Sequence, residues 1–236
     1  MKIIGTAGND MLVGGADFDI ISGGAGDDTI DGGAGSDKMA GQDGNDTFLG
    51  GAGADYMDGG AGVDTVDYGA SAGPVIVNLN TGTGSGADAA GDTLVSIENL
   101  VGSRYNDTLL GNASDNRLAG GAGNDRLSGG DGADVLFGGG GNDQLTGGQH
   151  NDTFFFVTSY YSYVSNDDVI TDFQVGVDVL EFRNGGWGGV DSLDDLTFTQ
   201  SGADTVIEFN HADSLTLRNV DMQQLLANAS HDFLFT

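Results

Sequence analysis

Gly23-Gly24-Ala25-Gly26-Asp27-Asp28-Thr29-Ile30-Asp31 is the stretch whose reading decides the fold. Its first six residues suit a turn and its last three a very short strand. Glycine at positions one, two and four tolerates positive φ and close backbone approach, so carbonyl oxygens can turn inward. The acidic residue at position six adds a carboxylate to that oxygen-lined turn. At position eight an apolar side chain sits between two outward neighbours, as the period-two alternation of a strand requires.

The unit recurs thirteen times, in two blocks. Copies begin at Gly5, Gly14, Gly23, Gly32, Gly41, Gly50 and Gly59, then at Gly102, Gly111, Gly120, Gly129, Gly138 and Gly147. Position six is Asp10, Asp19, Asp28, Asp37, Asp46, Asp55, Asp64, Asp107, Asp125, Asp134, Asp143 and Asp152, with Asn116 the exception that keeps an oxygen and loses the charge. Position eight is Leu12, Ile21, Ile30, Met39, Phe48, Met57 and Val66, then Leu109, Leu118, Leu127, Leu136, Leu145 and Phe154. One repeat buries one side chain and cannot be stable alone, so stacking must supply the rest. Two repeats make a coil of 18 residues. The expected fold is all-β: a right-handed parallel β-roll (a β-solenoid) with a β-rich C-terminal cap carrying short helices.

Stacked strands lie about 4.8 Å apart, and Ca²⁺–oxygen bonds are roughly 2.3–2.6 Å. An ion midway between successive loops can therefore reach both. Without an ion, two neighbouring Asp carboxylates repel and raise each other's pKa.

Among 236 residues 36 are acidic and 7 basic, a formal charge of −29. Phosphate binding needs clustered Lys and Arg, so nucleic acid is excluded as a partner, and anionic membrane surfaces are disfavoured for the same reason. High charge with 44 glycines suits a chain that stays disordered until metal arrives. There is no cysteine, so metal would replace disulfides as the staple of a secreted protein. The start, Met1-Lys2-Ile3-Ile4-Gly5-Thr6, lacks the apolar run of a secretory signal peptide. No stretch approaches the roughly 20 apolar residues of a membrane span.

Residues 68–101 interrupt the period with two strand-like runs, Val75–Leu79 and Thr93–Leu100, the first introduced by Pro74, around a turn from Gly82 to Gly91. The insert reads as coils of the same solenoid with longer, metal-poor loops. The expected division is 1–67 first repeat block, 68–101 insert, 102–155 second block, and 156–236 cap and secretion-signal region. In the last part, Tyr160, Tyr161 and Tyr163 mark an aromatic loop expected to pack on the cap. Strands are expected at Thr205–Phe209 and Ser214–Leu217, and short helices at Leu193–Leu196 and Met222–Ala227, with Ser192 and Asp221 as N-caps.

These residues resemble the repeats-in-toxin (RTX) proteins of Gram-negative bacteria, whose Gly-rich nonapeptide is a known calcium-binding solenoid signature. The stretch Asp168 to Phe182 is similar to the segment that follows the roll in secreted members, and Asp232-Phe233-Leu234-Phe235-Thr236 is similar to their uncleaved export signals. The resemblance implies export by a type I ABC transporter, without an N-terminal signal peptide, and folding outside the cell. It also implies the ion geometry: one loop gives its carbonyls from positions two and four and its Asp, and the loop one coil later gives carbonyls from positions one and three and its Asp. Position one then contributes through Gly23, Gly32, Gly41, Gly50, Gly59, Gly120, Gly129, Gly138 and Gly147. Position two contributes through Gly24, Gly33, Gly121 and Gly130, and position four through Gly8, Gly26, Gly35, Gly44, Gly123 and Gly132. Position three contributes through Ala25, Ala34, Asp43, Ala52, Ala61, Ala122, Asp131, Gly140 and Gln149. Pairing each repeat with the next but one implies about five to nine Ca²⁺ ions. Asp17, Tyr105, Ser114 and His150 replace the position-four glycine and weaken the sites that use them.

An enzyme is the competing class. His150, His211 and His231 show no ligand spacing, and no HExxH occurs. The repeats begin at Gly5, so no catalytic domain is expected ahead of them. A C-terminal secretion and folding module of a larger hydrolase stays open, as does a surface adhesion protein that contacts cells or polysaccharide. Position seven (Met11, Ile20, Thr29, Lys38, Thr47, Tyr56, Thr65) is too mixed for an ice-ordering threonine row.

Overall fold

The computed structural model describes residues 1–158, 166–185, 189–209 and 213–236. The tyrosine loop and His211 lie outside the described residues. Two compact units, Met1–Asn112 and Ala113–Thr236, divide the chain.

In the first unit the regular part alternates between two sheets. Strands β1 (Lys2–Ile4), β3 (Ile20–Ala25), β5 (Lys38–Asp43) and β7 (Tyr56–Ala61) pair in parallel in one. Strands β2 (Met11–Gly15), β4 (Thr29–Gly33), β6 (Thr47–Leu49) and β8 (Thr65–Asp67) pair in parallel in the other. The register advances by one coil per strand: Ile20 faces Lys38, which faces Tyr56, and Met11 faces Thr29, which faces Thr47. This is a parallel β-roll. Its core is a file of position-eight side chains from both sheets, Leu12, Ile21, Ile30, Met39, Phe48, Met57 and Val66, all buried. Each contributes about 1.5–3 kcal/mol, whereas fixing one residue's backbone costs about 1–2 kcal/mol. Nine residues around one buried side chain therefore cannot hold themselves. The sheet hydrogen bonds and loop contacts between coils are integral to the fold.

The insert departs from the expected plain coils. Strand β9 (Ile76–Asn78) is followed by β10 (Thr83–Ser85), which lies antiparallel between β9 and β11 (Thr93–Val95). The run Thr93–Leu100, expected as one strand, is two. It breaks at Ser96, whose φ is 50°, and resumes as β12 (Asn99–Val101). The break turns the chain from the first sheet, where β11 lies on β7, to the second, where β12 lies on β8. Strand β13 (Thr108–Leu110) then lies parallel on β9.

The second unit repeats the roll. Strands β14 (Arg117–Ala122), β16 (Val135–Gly140) and β18 (Thr153–Thr158) stack in one sheet, β15 (Arg126–Asp131) and β17 (Gln144–Gln149) in the other. The parallel ladder then passes into the region of changed composition. Strand β19 (Asp167–Ile170) lies on β17 with Ile170 opposite Leu145, and β20 (Val179–Asn184) lies on β18 with Leu180 opposite Phe154. An antiparallel trio follows, β21 (Thr197–Ser201), β22 (Asp204–Phe209) and β23 (Asp213–Leu217), with β23 against β19. Helix α1 (Met222–Ala227) is capped by Asp221, which accepts from the N–H groups of Gln223 and Gln224 at 3.0 Å each. The expected helix after Ser192 is a single 3-10 turn, Leu193–Asp195, too short to need more. After α2 (Ala229–Asp232), strand β24 (Phe233–Phe235) adds to β20. Phe156 and Phe182 stack at 5.4 Å, Phe209 meets Phe182 edge-on at 5.3 Å, and Phe235 lies on Phe182 at 5.9 Å. Aromatic bulk replaces the single-file aliphatic core where the coils end.

Candidate metal centres

The loops between strands show why glycine recurs. Gly24 and Gly26 have φ of 121° and 107°. A methyl group on Gly24 would overlap the Thr6 carbonyl oxygen, and one on Gly44 the Gly26 carbonyl oxygen. On Gly23 it would meet both the Asp28 carboxylate and, at 2.9 Å, the Gly41 carbonyl oxygen. The gap between two loops one coil apart is thus faced by position-two and position-four carbonyls of the earlier loop, the position-one carbonyl of the later loop, and a carboxylate oxygen of the earlier Asp. The same pattern links Gly33 to Gly15, Gly51 to Gly33, Gly62 to Gly44, Gly139 to Gly121 and Gly148 to Gly130. Position three joins in through the main chain. The Asp43, Ala52, Ala61 and Gly140 carbonyls accept the N–H groups of Gly26, Gly35, Gly44 and Gly123 at 2.7–2.9 Å. Each carbonyl keeps a second lone pair.

The Asp column is tied together by its other oxygen. The N–H of Asp10 donates to Asp28 Oδ1 at 2.8 Å, that of Asp28 to Asp46, and that of Asp46 to Asp64 at 2.7 Å. On the opposite side Asp19 donates to Asp37 at 2.8 Å and Asp37 to Asp55 at 2.7 Å. In the second unit Asn116 donates to Asp134, Asp125 to Asp143, and Asp134 to Asp152. The remaining oxygen, Oδ2, is buried without a hydrogen-bond partner in Asp28, Asp37, Asp46, Asp55, Asp64, Asp125, Asp134, Asp143 and Asp152. A buried carboxylate oxygen left so is costly unless a cation or proton meets it.

Not every expected ligand is arranged this way. Asp10 Oδ2 accepts from the Thr6 N–H and, at 2.9 Å, from its hydroxyl, and Asp19 Oδ2 accepts from the Gly15 N–H at 2.7 Å. Both oxygens of Asp107 are engaged, Oδ1 by the Val75 N–H at 2.7 Å and Oδ2 by the Ser103 hydroxyl at 2.9 Å. Among the described residues no three His, Cys, Asp or Glu side chains converge on a point. Any ion here must draw mainly on main-chain carbonyls, which suits a hard, oxygen-seeking cation that accepts six to eight ligands.

Burial holds these carboxylates towards the protonated form. Asp55 and Asp152 are pushed up to about 7 and Asp64 and Asp134 to about 6, by burial first and then by neighbouring carboxylates. Asp37, Asp46 and Asp143 are raised in the same direction, chiefly by burial. A row of carboxylates that resists ionisation is one that a divalent cation can relieve.

Four members of the column lie outside the glycine-rich repeats. Asp55 donates its N–H to Asp92 Oδ1 and Asp64 to Glu98 Oε2, each at 2.9 Å. Asp143 donates to Asp168 at 2.9 Å and Asp152 to Asp178 at 3.1 Å. Burial pushes Asp168 up to about 7. The signal for them was present: Asp92-Thr93-Leu94, Glu98-Asn99-Leu100, Asp168-Val169-Ile170 and Asp178-Val179-Leu180 keep positions six to eight and lose the glycines.

A family model of the RTX calcium-binding nonapeptide repeat matches residues 4–39, 40–72, 96–127 and 128–156, more than half of the chain. The chain belongs to this RTX family. RTX nonapeptides bind calcium in general. No curated protein matches the chain in sequence. Among solved structures it is similar to the extracellular lipase LipA of Serratia marcescens, at 20% identity and a TM-score of 0.43. That likeness covers 100% of this RTX chain, which spans 40% of the lipase. A mannuronan C5-epimerase subunit of Azotobacter vinelandii is similar at 24% identity and a TM-score of 0.40, over 57% of this chain and 80% of that one.

The RTX family itself is a structural calcium-binding repeat, not a catalytic one. One pentapeptide, Gly69-Ala70-Ser71-Ala72-Gly73, does carry the G-x-S-x-G spacing of hydrolase nucleophiles. Ser71 is buried, and its hydroxyl donates to the Gly73 carbonyl at 3.0 Å rather than to a base. The motif also lacks the following helix that makes a nucleophile elbow: β9 comes next.

Proposed function

We propose that this RTX chain is a secreted calcium-binding β-roll whose folding is switched on by the ion outside the cell. The observation that carries this reading is the row of buried, partnerless Asp Oδ2 atoms in nine repeats. At Asp28, Asp37, Asp46, Asp125 and Asp134 the gap is edged by a glycine carbonyl of the loop one coil later, and the donor set is all oxygen. The sites are the loop pairs one coil apart, such as Gly24, Gly26 and Asp28 with Gly41, Asp43 and Asp46. Gly33, Gly35 and Asp37 with Gly50, Ala52 and Asp55 form another, and Gly121, Gly123 and Asp125 with Gly138, Gly140 and Asp143 a third.

Extracellular modules bind Ca²⁺ with Kd of about 10⁻⁴–10⁻³ M. An ion present at about ten times its Kd adds about 1.4 kcal/mol per site. About five to nine such sites together give roughly 7–13 kcal/mol, comparable to the whole stability of an ordinary domain, about 5–15 kcal/mol. The unfolded chain offers no paired loops, so binding energy becomes folding energy. At cytosolic calcium the same chain, with a formal charge of −29, stays extended and fit for threading through a type I ABC exporter. In this reading residues 156–236 cap the roll and carry the export signal, and residues 68–101 are poor in metal. Isothermal titration of the chelator-treated protein with Ca²⁺ tests it. Uptake of about five to nine ions per chain is expected, and uptake near zero removes the reading.

A further inference from the structure

The Asp64 carboxylate stands at the last full glycine-rich loop of the first repeat block, yet it is fully buried and its Oδ2 has no hydrogen-bond partner. In the regular pairs such an oxygen faces a carbonyl of the loop one coil later. For Asp64 that loop is missing from the repeat pattern. The structure supplies a substitute. Strand β12 lies on β8 with Asn99 opposite Thr65, which puts Glu98 in the position-six place above Asp64. The Asp64 N–H donates to Glu98 Oε2 at 2.9 Å, as each regular Asp donates to the next. Ser96, at φ 50°, bends the chain so that its carbonyl oxygen occupies the place over Gly59 that the Gly23 carbonyl holds over Gly5: a methyl group on Gly59 would overlap the Ser96 oxygen and Asp64 Oδ2 together. Three residues, Ser96 to Glu98, do the work of six in a regular loop, and the extra methylene of Glu makes up reach that a shorter bend loses.

We propose a further divalent-cation site, of the calcium class, between the loop Gly59–Asp64 and the bend Ser96–Glu98, with Asp64 Oδ2, the Ser96 carbonyl and the Glu98 carboxylate among its ligands. It rests on the calcium-binding reading of the regular loops and extends it to a half-site with no glycine-rich sequence. The opposite side of the same coil is built differently. There Asp92 Oδ2 accepts from the Tyr68 hydroxyl at 2.8 Å, and what stands near Gly50 besides the Asp55 carboxylate is the Met57 methyl, 3.4 Å from a methyl placed on the glycine. That gap offers a methyl group where Ser96 offers an oxygen, so the site is one-sided.

Calcium stoichiometry by equilibrium dialysis, on the full chain and with circular dichroism on the same samples, tests this. Glu98→Ala is expected to bind one ion fewer than the unaltered chain at saturating Ca²⁺ with an unchanged spectrum. Asp92→Asn is expected to keep the full number. Should Glu98→Ala not fold, Glu98→Gln keeps an acceptor for the Asp64 N–H while removing the charge, and a loss of about half an ion is then read at 1 mM Ca²⁺, where a site of Kd about 10⁻⁴ M weakened about tenfold is half filled. A full complement in the folded Glu98 variants overturns the site, as does an equal loss in Asp92→Asn. Absence of uptake by the unaltered chain would instead remove the calcium reading itself.

Discussion

Gly44 and Gly140 separate two reasons for glycine at the scale of the residue. Gly44 has φ of 129° and a methyl group there would overlap the Gly26 carbonyl oxygen, itself a proposed ligand. At Gly140 nothing lies within 4 Å of an added methyl, and its φ is not in the left-handed region. Gly44→Ala should therefore destabilise the calcium-loaded fold by more than about 1 kcal/mol, and Gly140→Ala should stay within about 0.5 kcal/mol, both read from thermal melts in millimolar Ca²⁺. Equal effects would show that the carbonyl contact does not matter. The carboxylates give a pH dependence of definite sign. Asp55 and Asp152, held near 7, and Asp64 and Asp134, held near 6, have folded pKa values above the roughly 3.9 of an unfolded chain. The stability they lend to the ion-free fold is full below about pH 4 and is lost as pH rises through about 6–7. In chelator the chain, unfolded at pH 8, should gain β-sheet signal by circular dichroism at pH 5. With millimolar Ca²⁺ the order should reverse, because ligand carboxylates must be deprotonated to bind.

At the scale of the element, position eight is the core of the regular coils. Phe48 in β6 is completely buried, and Phe48→Ala should cost about 3–5 kcal/mol in the calcium-loaded state. Met11 in β2 is 78% exposed, and Met11→Ala should change stability by less than about 0.5 kcal/mol in the same denaturation experiment. The strands of the roll were legible because three columns repeat at fixed spacing, and Asp221 marked the start of α1 for the same local reason, a side chain free to cap. The insert was not legible. Its antiparallel β10 and the break at Ser96 depend on where the chain must land on β7 and β8, contacts far apart in sequence. Asp92, Glu98, Asp168 and Asp178 escaped notice because the glycines announce a site, while the acid-x-apolar triplet that actually fixes register is common in any strand.

For the whole molecule, the proposed function is that of a conditional fold. Side chains alone bury little, 44 glycines make the unfolded chain entropically rich, and a formal charge of −29 opposes compaction. In the proposed reading bound ions change all of this at once, since each one would join two loops and offset two carboxylates. Salt should not substitute: raising NaCl screens exposed charges but cannot reach buried Oδ2 atoms, so a chain in chelator with about 0.5 M NaCl should stay unfolded by size-exclusion chromatography. Far-ultraviolet circular dichroism of the full chain in EGTA and then in millimolar Ca²⁺, at neutral pH, is the most direct test. The expected result is a disordered spectrum that becomes a β-sheet spectrum on adding the ion and reverts on chelation. A β-sheet spectrum of the same strength in EGTA would contradict the account.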